Sequence, residues 1–291
     1  MRASIAAAHR GSPFNHSVES ERPLADTDQA PRRRRERAAV APELTRLARP
    51  AILHLTLPAP PPAPFPLKPV ERLAEATAPD GSVLTLFRHD GAYQLRVNGV
   101  ELMSTRKSHS EERLAELACA HLAGQDDASV LIGGLGFGCT LRATLRVLES
   151  DARIVVAELV PEVIAWNRNA EYALAGEALL DRRVDLRQAD VAQVLRASLA
   201  TFDAIMLDVD NGAESLTTKG NDELYREAGV RMAMAALRPG GRLAYWSADR
   251  DPQFVKTLQR VGLTVDEQRV RAHATSGALY TLLIAHKRQR P

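Results

Sequence analysis

An apolar run that ends in alternating glycines constrains this chain most: residues 129–138 read SVLIGGLGFG. The apolar residues are typical of a buried parallel strand, and Gly134, Gly136 and Gly138 permit a turn tight enough for a ligand to lie against bare backbone. The dinucleotide fingerprint requires its third glycine where this chain has Cys139. The spacing therefore favours a nucleoside without phosphates over a dinucleotide, although in other α/β proteins such glycines only shape a strand-to-helix turn.

Composition bounds the class of protein. A chain of 291 residues with 45% hydrophobic content is expected to form one sizeable core and at most a small second domain. Its 38 basic and 36 acidic residues nearly cancel, which disfavours nucleic acid as a partner. The two cysteines, Cys119 and Cys139, exclude a disulfide framework and suit a reducing compartment. With no apolar run near the roughly 20 residues of a membrane helix, and no apolar segment at the N-terminus, we expect a cytoplasmic protein without a membrane partner.

The chain divides into three regions by composition. Residues 1–68 combine an arginine cluster at 32–37 with many prolines, which predicts a disordered extension. Residues 69–126 are predicted to form a small antiparallel β domain and a linking helix. Residues 127–291 are predicted to form a Rossmann-like domain that binds a nucleoside and carries the catalytic residues.

Turn signals and a helix start organise the small domain. Three dipeptides favoured in tight hairpins occur there: Asp80-Gly81, Asp90-Gly91 and Asn98-Gly99. Ser108 followed by Glu111 predicts a capping box at the start of the linking helix, in which the serine hydroxyl and the glutamate satisfy free backbone amides.

Strand and helix patterns alternate from residue 128 onward, which predicts a parallel sheet with helices on both faces. The expected strands are 129–134, 152–159, 184–190, 202–210 and 241–248, and the expected helices begin near residues 140, 161, 191 and 222. Residues 263–270 and 277–287 lie too close together for a helical crossover and should form an antiparallel edge hairpin. The predicted fold class is α/β: a Rossmann-like, doubly wound, mostly parallel sheet that resembles the class I S-adenosylmethionine-dependent methyltransferases, with a small N-terminal β-hairpin domain.

Acidic residues end the three strands that follow the glycine turn. Ligands of doubly wound sheets bind outside the carboxyl ends of the strands, so these acids are candidate ligand contacts. Glu158 suits the two hydroxyls of a ribose, Asp190 the exocyclic amine of an adenine, and Asp208 the reacting atoms. Each also has an ordinary explanation, since acids at strand ends commonly cap the next helix. Together with the glycine turn they favour a nucleoside with a free ribose, such as an S-adenosyl sulfonium. No histidine or acid spacing of a metal site occurs, so no metal is predicted.

Four segments resemble the spermidine synthases, or polyamine aminopropyltransferases, and the resemblance covers most of residues 83–245. The matching segments are YQLRVNGVELMSTRKSHSEERL at 93–114, GLGFGCTLR at 134–142, AELVPEV at 157–163 and FDAIMLDVDNGAESL at 202–216.

This resemblance implies a transferase with decarboxylated S-adenosylmethionine or S-adenosylmethionine as donor, a small-molecule amine acceptor and a homodimer formed through the hairpin domain. Asp208 would be the catalytic residue. The donor-binding residues would be Gly134, Gly136, Gly138, Glu158 and Asp190. The acceptor-binding candidates are Asp210, Asn211 and Tyr225.

Three departures from the family pattern leave the transferred group open. Phe137 stands where the family has an aspartate for the cationic end of its donor, and Ser110 where it has a tyrosine. The second aspartate of the family's catalytic strand is either shifted to Asp210 or replaced by Asn211. Three hypotheses follow: an aminopropyltransferase-like enzyme, a methyltransferase that uses S-adenosylmethionine, and a non-catalytic relative that binds a nucleoside or polyamine.

Overall fold

The structure of this chain is a computed structural model that describes residues 69–172, 174–208 and 222–288. The predicted disordered extension, residues 1–68, lies outside the described residues. Residues 63–291 form one unit, which contains both of the sheets described below. The division of this unit at residue 126 stays a prediction.

An antiparallel sheet of four strands opens the described part of the chain. The strands are β1 (Val70–Thr77), β2 (Val83–His89), β3 (Ala92–Val97) and β4 (Val100–Ser104), paired in that order. Both residues of the Asp90-Gly91 and Asn98-Gly99 turns have positive φ, as a two-residue type I′ turn requires. The turn chemistry thus confirms two of the predicted hairpins. Asp80-Gly81 lies between β1 and β2, which also pair antiparallel, but only Gly81 has positive φ.

The linking helix α1 (His109–Cys119) begins where it was expected, but its cap is different. Ser108 occupies the N-cap position without accepting a bond from a backbone amide, and its hydroxyl instead donates to Glu112 Oε1 at 2.9 Å. The predicted capping box is therefore wrong. Glu111 is left to point into the cavity described below.

Seven strands form the second sheet. They are β5 (Ser129–Gly133), β6 (Arg153–Glu158), β7 (Val184–Gln188), β8 (Phe202–Leu207), β9 (Leu237–Ser247), β10 (Thr264–Arg271) and β11 (Leu279–His286). Their order in the sheet is β10-β11-β9-β8-β5-β6-β7. Strands β5 to β9 pair in parallel, whereas β11 is antiparallel to both β9 and β10. The predicted parallel sheet with a closing antiparallel hairpin is confirmed.

Within the described ranges, six further α-helices accompany this sheet: α2 (Cys139–Val147), α3 (Pro161–Arg168), α4 (Val191–Arg196), α5 (Asp222–Tyr225), α6 (Glu227–Ala236) and α7 (Pro252–Arg260). The single helix expected after residue 222 is two helices that separate at Arg226. Helix α7 was not predicted, although Pro252 is its first residue and the Asp251 carboxylate accepts bonds from the amides of Gln253 and Phe254. None of the helices in the described ranges has the length and apolar character that crossing a bilayer requires.

The hydrophobic core consists of three clusters of buried residues. Val130 and Ile132 of β5 pack in one cluster with α1 and α2, while Leu131 packs in another with α4, α6 and α7. The third cluster joins the buried face of the antiparallel sheet to Phe137 and to Trp166 of α3. The small sheet consequently packs over the glycine turn, at the carboxyl ends of the parallel strands.

Candidate functional site

A cavity of about 400 Å³ lies between the antiparallel sheet and the carboxyl ends of the parallel strands. Its volume falls in the range of roughly 300–1,000 Å³ that is usual for small-molecule sites. The parallel sheet contributes Gly134, Gly136, Glu158, Asp190 and Asp208, and the antiparallel sheet contributes Leu84, Leu95, Leu102 and Met103. Five of the residues predicted to bind a nucleoside donor or to catalyse transfer therefore line one cavity.

The glycine turn has positive φ at all three predicted glycines, but only two of them face the cavity. Gly134 and Gly136 line it, with φ of 88° and 51°. Gly138 lies outside the lining, and a Cβ added there would come within 2.2 Å of the Ala175 Cβ. The structure thus shows that Gly138 packs closely against Ala175, and its contact with a donor stays a prediction.

Asn167 of α3 holds this turn in place and was missed by the sequence reasoning. Its side-chain amide donates to Gly136 O at 2.8 Å, and its carbonyl oxygen accepts from the Ala175 amide at 3.0 Å. The residue is buried. Its spacing of four from the buried Val163 was a usable signal, because residues four apart share a helix face.

Glu158 combines burial with strong backbone contacts at the cavity wall. Its side chain Oε2 accepts from the Leu135 amide at 2.9 Å and Oε1 accepts from the Val160 amide at 2.8 Å. Burial raises the pKa of this carboxyl group, and the backbone amide donors oppose that shift. Each carboxylate oxygen can accept more than one bond, so both stay able to accept from ligand hydroxyls.

Asp190 caps a helix and also lines the cavity, and its contact with an adenine stays a prediction. Its Oδ1 accepts from the Ala192 amide at 2.8 Å, which caps α4, and the residue also lines the cavity.

Asp208 and Glu111 bring a second pair of carboxyl groups to the cavity. Burial raises the pKa of Asp208 to about 6, opposed by the Thr140 hydroxyl, which donates to Asp208 Oδ2 at 3.4 Å. The pKa of Glu111 is raised well above its ordinary value, first by burial and then by the negative charges of Asp208 and Glu112. The sequence predicts only a capping role for Glu111.

Other residues singled out from the sequence lie elsewhere. Tyr225 packs in the core with its ring centroid 5.4 Å from that of Tyr245 and 5.1 Å from that of Phe254, and it does not line the cavity. The structure thus places Tyr225 in the core, and its acceptor-binding role stays a prediction. Asp210 and Asn211 lie outside the described residues.

Two of the positions that depart from the family pattern have structural roles. The Phe137 ring is buried in the cluster beneath the antiparallel sheet. Ser110 is buried at the cavity wall, where its Oγ accepts from Trp246 Nε1 at 3.1 Å. In the described ranges, no three His, Cys, Asp or Glu side chains are grouped as metal ligands. That the protein uses no metal stays a prediction.

The strand order and the cavity define a Rossmann-like fold of the class I methyltransferase type with an added N-terminal antiparallel sheet. Solved structures narrow this to the spermidine synthase fold. The spermidine synthase from Thermotoga maritima aligns with a TM-score of 0.59 at 18% identity, covering 76% of this chain and 73% of its own.

Two further solved structures agree with this fold. A spermidine synthase in complex with the transition state analogue AdoDATO aligns with a TM-score of 0.57 at 18% identity, over 76% of this chain and 73% of that one. A probable spermidine synthase from Corynebacterium glutamicum aligns with a TM-score of 0.52 at 19% identity, over 75% and 79%. No family model and no curated protein matches the sequence. At these identities the likeness establishes the fold.

Proposed function

We propose that this chain is a transferase that binds an S-adenosyl sulfonium donor and passes a carbon group from it to an amine acceptor. The observation that carries the proposal is one cavity lined by the glycine turn, by the hydrogen-bonded carboxylate of Glu158 and by Asp208. Asp208 directly follows β8, the strand that pairs with β5. Solved neighbours that share this fold include an enzyme bound to a transition state analogue.

The donor nucleoside would occupy the half of the cavity formed by the glycine turn and the next two strand ends. Gly134 and Gly136 leave room for the ligand against the backbone, and Glu158 would accept the two ribose hydroxyls. Asp190 would face the exocyclic amine of the adenine. None of these interactions needs a phosphate-binding group.

Asp208 would act where the transferred carbon leaves the donor sulfur and bonds to the acceptor nitrogen. The lone pair of the acceptor nitrogen attacks the carbon bound to the sulfonium, the carbon–sulfur bond breaks, and its electron pair stays on the sulfur of a neutral thioether. The proton lost by the nitrogen passes to Asp208. A carboxyl pKa near 6 is well suited to accepting a proton close to neutral pH.

A second candidate function is methyl transfer from S-adenosylmethionine. It is favoured by Phe137, because the ring buried beneath the antiparallel sheet cannot attract the cationic end of a decarboxylated donor. The homodimer expected from the hairpin domain, and the cytoplasmic location, accompany both candidates as predictions.

Product analysis by mass spectrometry tests these candidates. The protein is incubated with each donor in the presence and absence of putrescine, and the thioether product is identified. Methylthioadenosine together with an aminopropylated diamine supports aminopropyl transfer, whereas S-adenosylhomocysteine supports methyl transfer. Binding of methylthioadenosine without any turnover supports the non-catalytic alternative, and failure to bind it refutes the nucleoside site itself.

A further inference from the structure

Glu111 is a partly buried acid of the cavity that the proposed reaction does not yet use. It lies in the first turn of α1 and faces the cavity together with Asp208. None of the residues that the structure describes forms a hydrogen bond or an ion pair with the Glu111 carboxyl group. A carboxyl group that faces a cavity without a partner from the protein is available to pair with a cationic ligand group.

The cationic side chains near Glu111 and Asp208 already have other partners. Lys107 lines the cavity but its Nζ lies 2.6 Å from Glu101 Oε1. The Arg142 guanidinium donates to Phe137 O at 2.9 Å and to Leu174 O at 3.4 Å. Within the described ranges, two acidic side chains therefore face the same space without a cation paired to either.

The strand pairing places this space beside the nucleoside half of the cavity. Strands β5 and β8 are neighbours, and the Asp208 amide donates to Gly133 O at 3.4 Å, immediately before the glycine turn. A donor whose sugar is held at Glu158 would direct its chain toward Asp208 and Glu111. An acceptor that reaches the sulfonium would approach the same two side chains.

We propose that Glu111 and Asp208 together form a subsite for a protonated primary amine, in which Glu111 provides the anchoring charge. This inference rests on the proposed function, because it concerns the substrate group that enters the same cavity. A bound ammonium would pair with both acids, whereas a ligand carboxylate would face like charges in a partly dehydrated space. The amine belongs either to a decarboxylated donor or to the acceptor.

The subsite also supplies a charge that the glycine turn lacks. Phe137 carries no charge where the spermidine synthases have an aspartate in this turn. Glu111 brings a carboxyl group to the cavity from α1, a different element, so the loss at Phe137 does not leave the cavity without an anchor for a cation.

Binding of an amine should release protons. The titratable and charged groups that act on Glu111 are Asp208, Glu112, Cys139 and Arg142. Burial and the neighbouring acids raise the pKa of Glu111 in the empty cavity. An ammonium group beside it favours the charged form, so the proton of the acid pair is displaced as the amine binds.

Isothermal titration calorimetry on the full chain tests the subsite. The wild type is compared with Glu111→Gln and with Glu112→Gln, a matched control on the same helix turn whose side chain bonds to Ser108 and Arg146 instead of lining the cavity. The ligands are methylthioadenosine, decarboxylated S-adenosylmethionine, and putrescine added to the methylthioadenosine complex.

We expect Glu111→Gln to weaken at least one amine ligand by about tenfold or more while methylthioadenosine binds as in the wild type. Loss confined to decarboxylated S-adenosylmethionine assigns the amine to the donor, and loss confined to putrescine assigns it to the acceptor. Equal amine affinities in the wild type and Glu111→Gln overturn the subsite, as does an equal loss in Glu112→Gln. If methylthioadenosine fails to bind the wild type, the proposed function itself is refuted, and the subsite that rests on it is refuted with it.

A measurement on the wild type alone covers the case in which Glu111→Gln does not fold. Binding enthalpies of the amine ligands are measured in two buffers with different ionisation enthalpies. Proton release that is greater for an amine ligand than for methylthioadenosine supports the subsite, and the same proton balance for all ligands overturns it.

Discussion

The two halves of the cavity differ in how their acidic groups are satisfied. In the half proposed to hold the nucleoside, called the nucleoside half, Glu158 accepts bonds from two backbone amides and Asp190 accepts one. In the other half, Asp208 has one long bond from Thr140, and Glu111 has none with the described residues. The first half is thus oriented by the backbone before a ligand arrives, whereas the second keeps partly buried carboxyl groups with few hydrogen-bond partners.

This difference indicates different tasks for the two halves. Groups held by the backbone bind a ligand without first having to be ordered, which suits a site for a nucleoside. Buried acids with raised pKa values are costly to the folded protein, and such groups are concentrated at functional sites. The nucleoside half is expected to set affinity, and the Asp208–Glu111 half to set turnover and charge selectivity.

The largest expected effect is on turnover, from Asp208→Asn. Removing the proton acceptor should lower turnover by about 10²- to 10⁴-fold, while the affinity for methylthioadenosine changes little. Steady-state kinetics and calorimetry on the same preparation measure both quantities. Unchanged turnover would remove Asp208 from the mechanism, and a matching loss of nucleoside affinity would erase the contrast between the halves.

Glu158→Gln should have the next largest effect, on affinity. The neutral amide accepts bonds less strongly and turns an N–H group toward donors, so methylthioadenosine should bind roughly 10- to 100-fold more weakly. Asp190→Asn serves as the control, because asparagine is an equally good helix cap and should reduce affinity less. Equal losses in the two variants would contradict the leading role of Glu158 in the nucleoside half.

Gly138→Ala tests the rigidity of the turn through stability. A Cβ there meets the Ala175 Cβ in a backbone conformation with φ of 72°, so unfolding should become easier by about 2–4 kcal/mol. Gly81→Ala is the matched control: φ is 89° but nothing lies within 4 Å, and the cost should be about 1–2 kcal/mol. Denaturant melts measure both. Equal costs would show that Gly138 is not packed as described.

The smallest expected effect is a pH-dependent gain of stability in Asp208→Asn. Burial raises the folded-state pKa of Asp208 from 3.8 to about 6, so the folded wild type holds this proton more tightly than the unfolded chain. Its stability therefore falls as pH rises from 3.8 through 6, and the loss is complete above that window. Thermal melts should show the variant a few degrees more stable near neutral pH and equal to the wild type below about pH 4. A difference that does not change with pH would contradict the burial of this charge.

Sequence patterns alone predicted the parallel sheet with its closing antiparallel hairpin, the hairpins of the small sheet and most of the residues proposed to bind the nucleoside. The glycine turn and the acids Glu158, Asp190 and Asp208 could be placed because strand ends of a parallel sheet meet at one edge. The hairpins could be placed because their Asp-Gly and Asn-Gly turns require local conformations that few residues adopt. In these cases the information lies within a few neighbouring residues. The missed helix α7 had the same kind of local signal in Asp251 and Pro252.

Tertiary packing decided the rest of the site. It directed Glu111 into the cavity instead of into a helix cap, enclosed Tyr225 in the core, and left Gly138 against Ala175 rather than against a ligand. It also brought Asn167 to the glycine turn. Which face of a helix turns inward, and how deeply a carboxyl group is buried, depends on elements distant in the chain. For that physical reason the sequence could identify the acids at the strand ends, but not that Glu111 shares the cavity with Asp208.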